Sequence, residues 1–337
     1  MAKHVIFIVH GVGDHKQGWS QSSVAELRGN YKKFRIHGSF ADRFHIKEIH
    51  YGQAFVDYWN KHDEIAKALG QLKSPSTAFA AATLSLAKNV PKDELRSHVG
   101  DVFLYATTLF NEPVTLDVDI KIEKELRRLG FPNYSIIAHS LGSRVVHDTL
   151  QRSFTDGDGS YVLRAKPTVL MMVSNVTRLS SFNSGELRLD NNLIVFPSDK
   201  SRVGACQHYV NANHPLDAIA VVRKYRPQFS SDPNYHEPDI EASDFTSKEI
   251  HSLHHYCAHP AVAAAFFNQA IAPTPFDPDP VSAATLRQAL ISYRQDTVKQ
   301  SLKSLQNELA ALEPTKFKNW EVAVKKLADF IKLVKSF

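Results

Sequence analysis

Apolar positions along the chain fall into short continuous runs separated by longer amphipathic stretches. "KHVIFIVHG" (3–11) is such a run, the pattern of a strand buried on both faces of a parallel sheet. "FHIKEIHY" (44–51) alternates and predicts a second strand. "VTLDVDIKIEKELRRLG" (114–130) predicts a helix that Gly130 closes. A strand at 134–139 and a helix from 141 to 153 follow, with later strands expected at 167–175, 205–213 and 238–245 and a helix at 259–271. Residues 53–100 are helical in character but irregular, broken at "KSPS" and Pro91. Alternating strands and helices predict a mostly parallel, doubly wound α/β sheet with flanking helices. Proline-rich "APTPFDPDPVSA" (272–283) marks a boundary, and two helical segments follow at 283–312 and 318–336. The expected organisation is one α/β domain over 1–275 and a C-terminal helical extension over 276–337.

The chain has 337 residues, 43% of them hydrophobic, enough to bury a substantial core. Its opening "MAKHVIFIVHGVGDH" has too short an apolar run for a signal peptide. "STAFAAATLSLA" is too short to span a bilayer. Cys206 and Cys257 make no disulfide framework, so a cytoplasmic protein is expected. Net charge is +5, but six lysines lie beyond Pro314 against only Glu321 and Asp329. The rest of the chain carries 34 basic against 33 acidic side chains. That balance leaves no basic face for nucleic acid on the main domain.

The chemistry concentrates in "NYSIIAHSLGSRVV" (133–146), where a buried strand stops at His139, Ser140 and Gly142 and a helix resumes. A serine on a sharp strand-to-helix turn stands at the helix N-terminus, beside N–H groups that have no intrahelical acceptor. This is the nucleophile-elbow pattern G-x-S-x-G with Ala138 in the first position. A plain N-cap serine would look similar locally. His139, beside it, reads as buried scaffold. The loop after the first strand, "HGVGD", brings Gly11 and Gly13, which let backbone approach a ligand closely. It lacks the G-x-G-x-x-G and P-loop lysine patterns of nucleotide cradles.

A strand ending in His10-Gly11, followed in order by "AHSLG", resembles the serine esterase/lipase branch of the α/β-hydrolase family over roughly residues 1–275. The departures are Ala138 and the unusual segment 53–100. The resemblance implies an α/β-hydrolase fold, with the oxyanion held by N–H groups of Leu141 and the Gly11–Val12 loop. It implies a triad acid and then a histidine after Ser140. "NANHPLD" matches the acid loop at Asp217, with a helix-capping role as its competitor and Asp190, Asp199 and Asp244 as weaker substitutes. "KEIHSLHHYCAHPAV" matches the histidine region at His251, with His255 and His254 as alternatives and His259 as a helix cap. His255 and His259 stand at i, i+4 spacing near Cys257, but no H-E-x-x-H or paired C-x-x-C accompanies them, so no metal is expected. No cofactor is implied.

The expected activity is hydrolysis of carboxylic esters, with a lipid-like or other apolar acyl group, through an acyl-enzyme. A silent hydrolase scaffold for protein or lipid binding, and an acyltransferase using the same triad, are the alternatives. Residues 53–100 supply a candidate lid. "NWEVAVKKLADFIKLVKSF" reads as a basic amphipathic helix over 318–336, suited to packing on its own domain, to a protein partner or to an anionic membrane surface.

Overall fold

The computed structural model describes residues 3–13, 15–52, 105, 108–155, 165–177, 195–198, 203–217, 225, 227–244, 250–273 and 279–310. The expected lid segment 53–100, the basic helix 318–336, Asp190 and Asp199 lie outside the described residues.

The strands are β1 (His4–Val9), β2 (Phe44–Ile49), β3 (Tyr134–His139), β4 (Val169–Val173), β5 (His208–Ala212) and β6 (Tyr235–His236). The helices are α1 (Gln21–Lys33), α2 (Phe40–Arg43), α3 (Thr108–Arg128), α4 (Leu141–Thr155), α5 (Leu253–Ala258), α6 (Pro260–Ala270) and α7 (Ala283–Ala310). All strand pairs are parallel, in the order β2-β1-β3-β4-β5-β6. The protein is therefore an α/β protein with a parallel sheet and flanking helices. Contacts divide it into two compact units: Met1–Ser22, His37–Asn213 and Ala218–Pro238 form the first, Ser23–Ile36, His214–Asp217 and Asp239–Phe337 the second. Among the described residues, no helix is long and apolar enough to cross a membrane.

The first unit holds the sheet. Central strands β1, β3 and β4 are buried on both faces, which is why their sequences are continuous apolar runs. Alternate residues Val5, Phe7, Val9, Ile136, Ala138, Leu170 and Met172 join one core with Val114, Val118, Ile122 and Leu126 of α3 and Val145, Val146 and Leu150 of α4. Helix α3 starts at Thr108, earlier than the pattern predicts, and carries Pro113 inside it. Its end is as expected, with Gly130 at φ +76°. The strand expected at 238–245 forms instead as the two-residue β6 at Tyr235–His236. Pro238 has no N–H to give a ladder. Beyond it Asp244 folds back, donating its N–H to Glu241 O (3.0 Å) and accepting the Glu241 N–H on its carboxylate (2.8 Å).

The second unit carries α5, α6 and α7. His259 caps α6, its Nδ1 accepting the Ala261 N–H at 3.2 Å ahead of Pro260. Its Nε2 donates to the buried Asp244 carboxylate at 2.9 Å. Arg294 of α7 donates to that carboxylate at 2.8 Å and to Glu241 at 2.6 Å, fastening α7 to the turn. From α1, Asn30 donates to the carbonyls of Cys257 and Ala258 and Tyr31 packs edge-on against Phe267, as does Phe34 just beyond the helix. Cys206 and Cys257 are buried free thiols.

A part-buried ion pair locks α4. Arg144 donates to Asp148 (2.8 Å) and to the Thr177 carbonyl (2.7 Å), while Tyr105 and Asn111 also donate to Asp148. Although burial opposes its ionisation, Arg144 and His147 hold the Asp148 carboxyl down at about 2. Asp148→Ala strands these donors without their carboxylate and is expected to cost about 3–5 kcal/mol of unfolding free energy by chemical denaturation.

Candidate active site

The winding of the sheet reverses between β1 and β3: from β1 the chain moves to β2 on one side, then crosses to β3 on the other. In open α/β sheets, the carboxyl ends of such a strand pair are where ligands bind. Register Val9↔Ala138 makes His10-Gly11 and His139-Ser140 leave the sheet side by side. Both motifs singled out in the sequence thus stand at the same point of the first unit.

Ser140 sits at φ +53°, in the left-handed region that a side chain rarely adopts. Its N–H donates to the Val173 carbonyl at 3.0 Å, which ties the turn to β4. Its carbonyl accepts the Ser143 N–H at 2.9 Å and the Ser143 hydroxyl at 2.6 Å. Ser143 Oγ also accepts the Val176 N–H at 3.0 Å, linking the turn to the segment after β4. A serine acting only as an N-cap holds an extended backbone; this one is bent into a strained turn at 3% exposure.

Two glycines make the turn possible. A Cβ on Gly142 would overlap the His10 carbonyl oxygen and lie 2.9 Å from that of Val9. A Cβ on Gly11 would come 2.9 Å from the Ser140 Cβ. The small residues of the two motifs are therefore demanded by each other. Ala138, one methyl larger than the usual glycine, lies inside the ladder between Val9 and Met172. The N–H groups of Leu141 and Gly142 open α4 and have no acceptor within it. Among the described residues, no backbone carbonyl accepts the N–H of Gly11 or Val12.

The sequence did not show what holds the Gly11 loop. His10, 1% exposed, donates from Nδ1 to the Gly11 carbonyl (2.6 Å) and accepts the Tyr51 N–H on Nε2 (3.2 Å). Tyr51 stacks on it at 4.2 Å and donates its hydroxyl to the His10 and Gly11 carbonyls, 2.9 Å each. His15 donates to the Val12 carbonyl at 2.9 Å, and His50 to the His15 carbonyl at 3.0 Å. Further along, Glu48 accepts the Gly18 and Ser20 N–H groups and the Ser20 hydroxyl. Burial, followed by the nearby His15, pushes the His10 imidazole down to about 3. It stays neutral, as its acceptor role on Nε2 requires.

The expected acid and histidine, Asp217 and His251, lie in the second unit. Asp217 is 2% exposed, at the close of a turn in which its N–H donates to the His214 carbonyl at 3.1 Å. His251 places Nδ1 3.0 Å from both Asp217 oxygens. A buried carboxylate at Nδ1 fixes the tautomer and directs Nε2 to proton transfer. Of the alternatives, His254 faces Glu26 at 3.7 Å and His255 lies edge-on to His254. Asp244 is engaged by His259 and Arg294. Ser140 belongs to the first unit, whereas Asp217 and His251 belong to the second. Among the described residues, no three metal-binding side chains form a cluster.

No protein-family model matches the chain, and no curated protein matches it.

Gly142→Ala is expected to destabilise the protein by about 1–3 kcal/mol in chemical denaturation, since the added methyl meets backbone. His10 also gives the fold a pH dependence. Unfolded, an imidazole takes up its proton near pH 6.5; folded, His10 resists until about 3. Its contribution is complete above pH 6.5 and is lost as pH falls toward 3, with a slope of up to about 1.4 kcal/mol per pH unit. His10→Asn should flatten the dependence of unfolding free energy on pH across that window.

Proposed function

We propose that this protein is a serine hydrolase of the α/β-hydrolase type that cleaves carboxylic esters, with Ser140 as nucleophile, His251 as base and Asp217 as its orienting acid. The observation that carries the reading is Ser140 itself: a buried serine at φ +53° on the tip of a central strand, beside a glycine loop and at a helix N-terminus. A non-glycine residue persists in that conformation only where the surroundings over-determine it, and such positions cluster at catalytic sites. The Asp217–His251 pair supplies the matching base.

In this mechanism His251 Nε2 takes the Ser140 hydroxyl proton as Oγ bonds to the ester carbonyl carbon. The carbonyl oxygen becomes an oxyanion, which the N–H groups of Leu141 and of the Gly11–Val12 loop stabilise. Each such donor is worth about 3–4 kcal/mol to the rate. Collapse breaks the ester bond, and the alcohol leaves with the proton from His251. Water, deprotonated by His251, then attacks the acyl-enzyme and releases the carboxylic acid and free Ser140. The substrates envisaged are small-molecule or lipid esters with an apolar acyl group, met in the cytoplasm.

A fluorophosphonate probe, which phosphonylates activated serines, tests this directly. Wild type is expected to label, Ser140→Ala to lose labelling completely, and His251→Ala to lose it at least about 100-fold, within the range seen for general bases. His254→Ala and His255→Ala should label as wild type does. Folded wild type that stays unlabelled, with or without detergent micelles, would move the assignment to a non-catalytic scaffold.

A further inference from the structure

The turn that carries Asp217 is held by one buried side chain from another element of the same unit. Tyr256 lies in α5 at 0% exposure. Its hydroxyl donates to Asp217 Oδ2 at 2.9 Å and accepts the His214 N–H at 2.9 Å. One oxygen thus bridges both ends of the turn His214–Asp217. Within the turn, Asp217 N–H meets the His214 carbonyl and Leu216 N–H meets His214 Nδ1, each at 3.1 Å. Neither bond touches the carboxylate. Rotation of that carboxylate about its own bond is restrained by Tyr256 on one oxygen and by His251 across both.

We infer that Tyr256 is a positioning residue of the proposed hydrolase site, orienting Asp217 and through it His251. The inference rests on the Ser140–His251–Asp217 reading. Its physical content has two parts. Geometrically, the hydroxyl sets the plane of the carboxylate and hence the direction of the imidazole. Electrostatically, a hydrogen bond donated to Oδ2 withdraws charge that would otherwise favour the imidazolium form of His251. Other titratable groups around the turn are His214, which feels both Asp217 and Asp244, and His259 behind it.

A core tyrosine that merely fills space would show neither effect. Tyr256→Phe keeps the ring and removes only the hydroxyl. In the full chain, it is expected to lower kcat for a p-nitrophenyl ester about 10-fold with KM changed less than about two-fold. The acidic limb of the rate profile should move to higher pH, because His251 then binds its proton more tightly. Unchanged kcat and an unchanged limb in the folded variant would overturn the inference. Site-specific 3-fluorotyrosine at position 256 keeps the fold and makes the hydroxyl a stronger donor. It should move the same limb to lower pH, and an unmoved limb would again overturn the assignment. Wild type that neither labels nor turns over would remove the hydrolase reading and this inference together. An active wild type with an indifferent Tyr256→Phe removes the inference alone.

Discussion

Backbone meets backbone at the carboxyl ends of β1 and β3, and no side chain fits between them. Gly142 lies against the Val9 and His10 carbonyls, and Gly11 lies against the Ser140 side chain. Parallel pairing of β1 with β3 brings the two chain segments out of the sheet together. The turn at Ser140 can then close only with a positive φ and with glycine on both sides of the contact. The strain there is balanced by bonds the turn cannot make elsewhere: Ser140 N–H to Val173, and the Ser140 carbonyl to Ser143. Packing of the helix behind it, through Val145, Val146 and Leu150, makes those bonds simultaneous.

From this contact the layout of polar groups follows. The carbonyls at the Gly11 loop are occupied by His10 and Tyr51. A buried imidazole serves there because it gives one donor and one acceptor in a rigid ring, and burial keeps it neutral. On α4, the Arg144–Asp148 pair fixes the helix whose first turn carries the N–H groups of Leu141 and Gly142, which have no acceptor within it. In the second unit, buried carboxylates are each paired with a histidine: Asp217 with His251, and Asp244 with His259. The pairs differ in access. His259 is wholly enclosed and caps a helix, whereas the His251 side chain keeps 26% of its surface exposed. Enclosure suits a structural clamp, whereas exposure leaves the His251 imidazole open to solvent.

Much of the fold is legible in the chain because strands buried on both faces cannot disguise themselves. β1, β3 and β4 appear as continuous apolar runs, and the serine turn shows where such a run ends in small residues before a helical period. Edge structure is less legible. Strand β6 makes only two residue pairs, at Tyr235 and His236, and two residues carry no period. The turn closed by Asp244 looked like a strand because its hydrogen bonds run within the segment, a feature that alternation does not record.

The sequence by itself determined the nature of the sheet and the place of the serine turn. These are local properties, set by period and by where glycine is required. Tertiary structure alone decided which histidine meets Asp217. His251, His254 and His255 stand within five residues of one another, and their distinction depends on where α5 begins and which way each faces. The contacts of His10 and Tyr256 were invisible for the same reason. Their partners lie about forty residues away along the chain, and contact across that separation is made by folding, not by pattern.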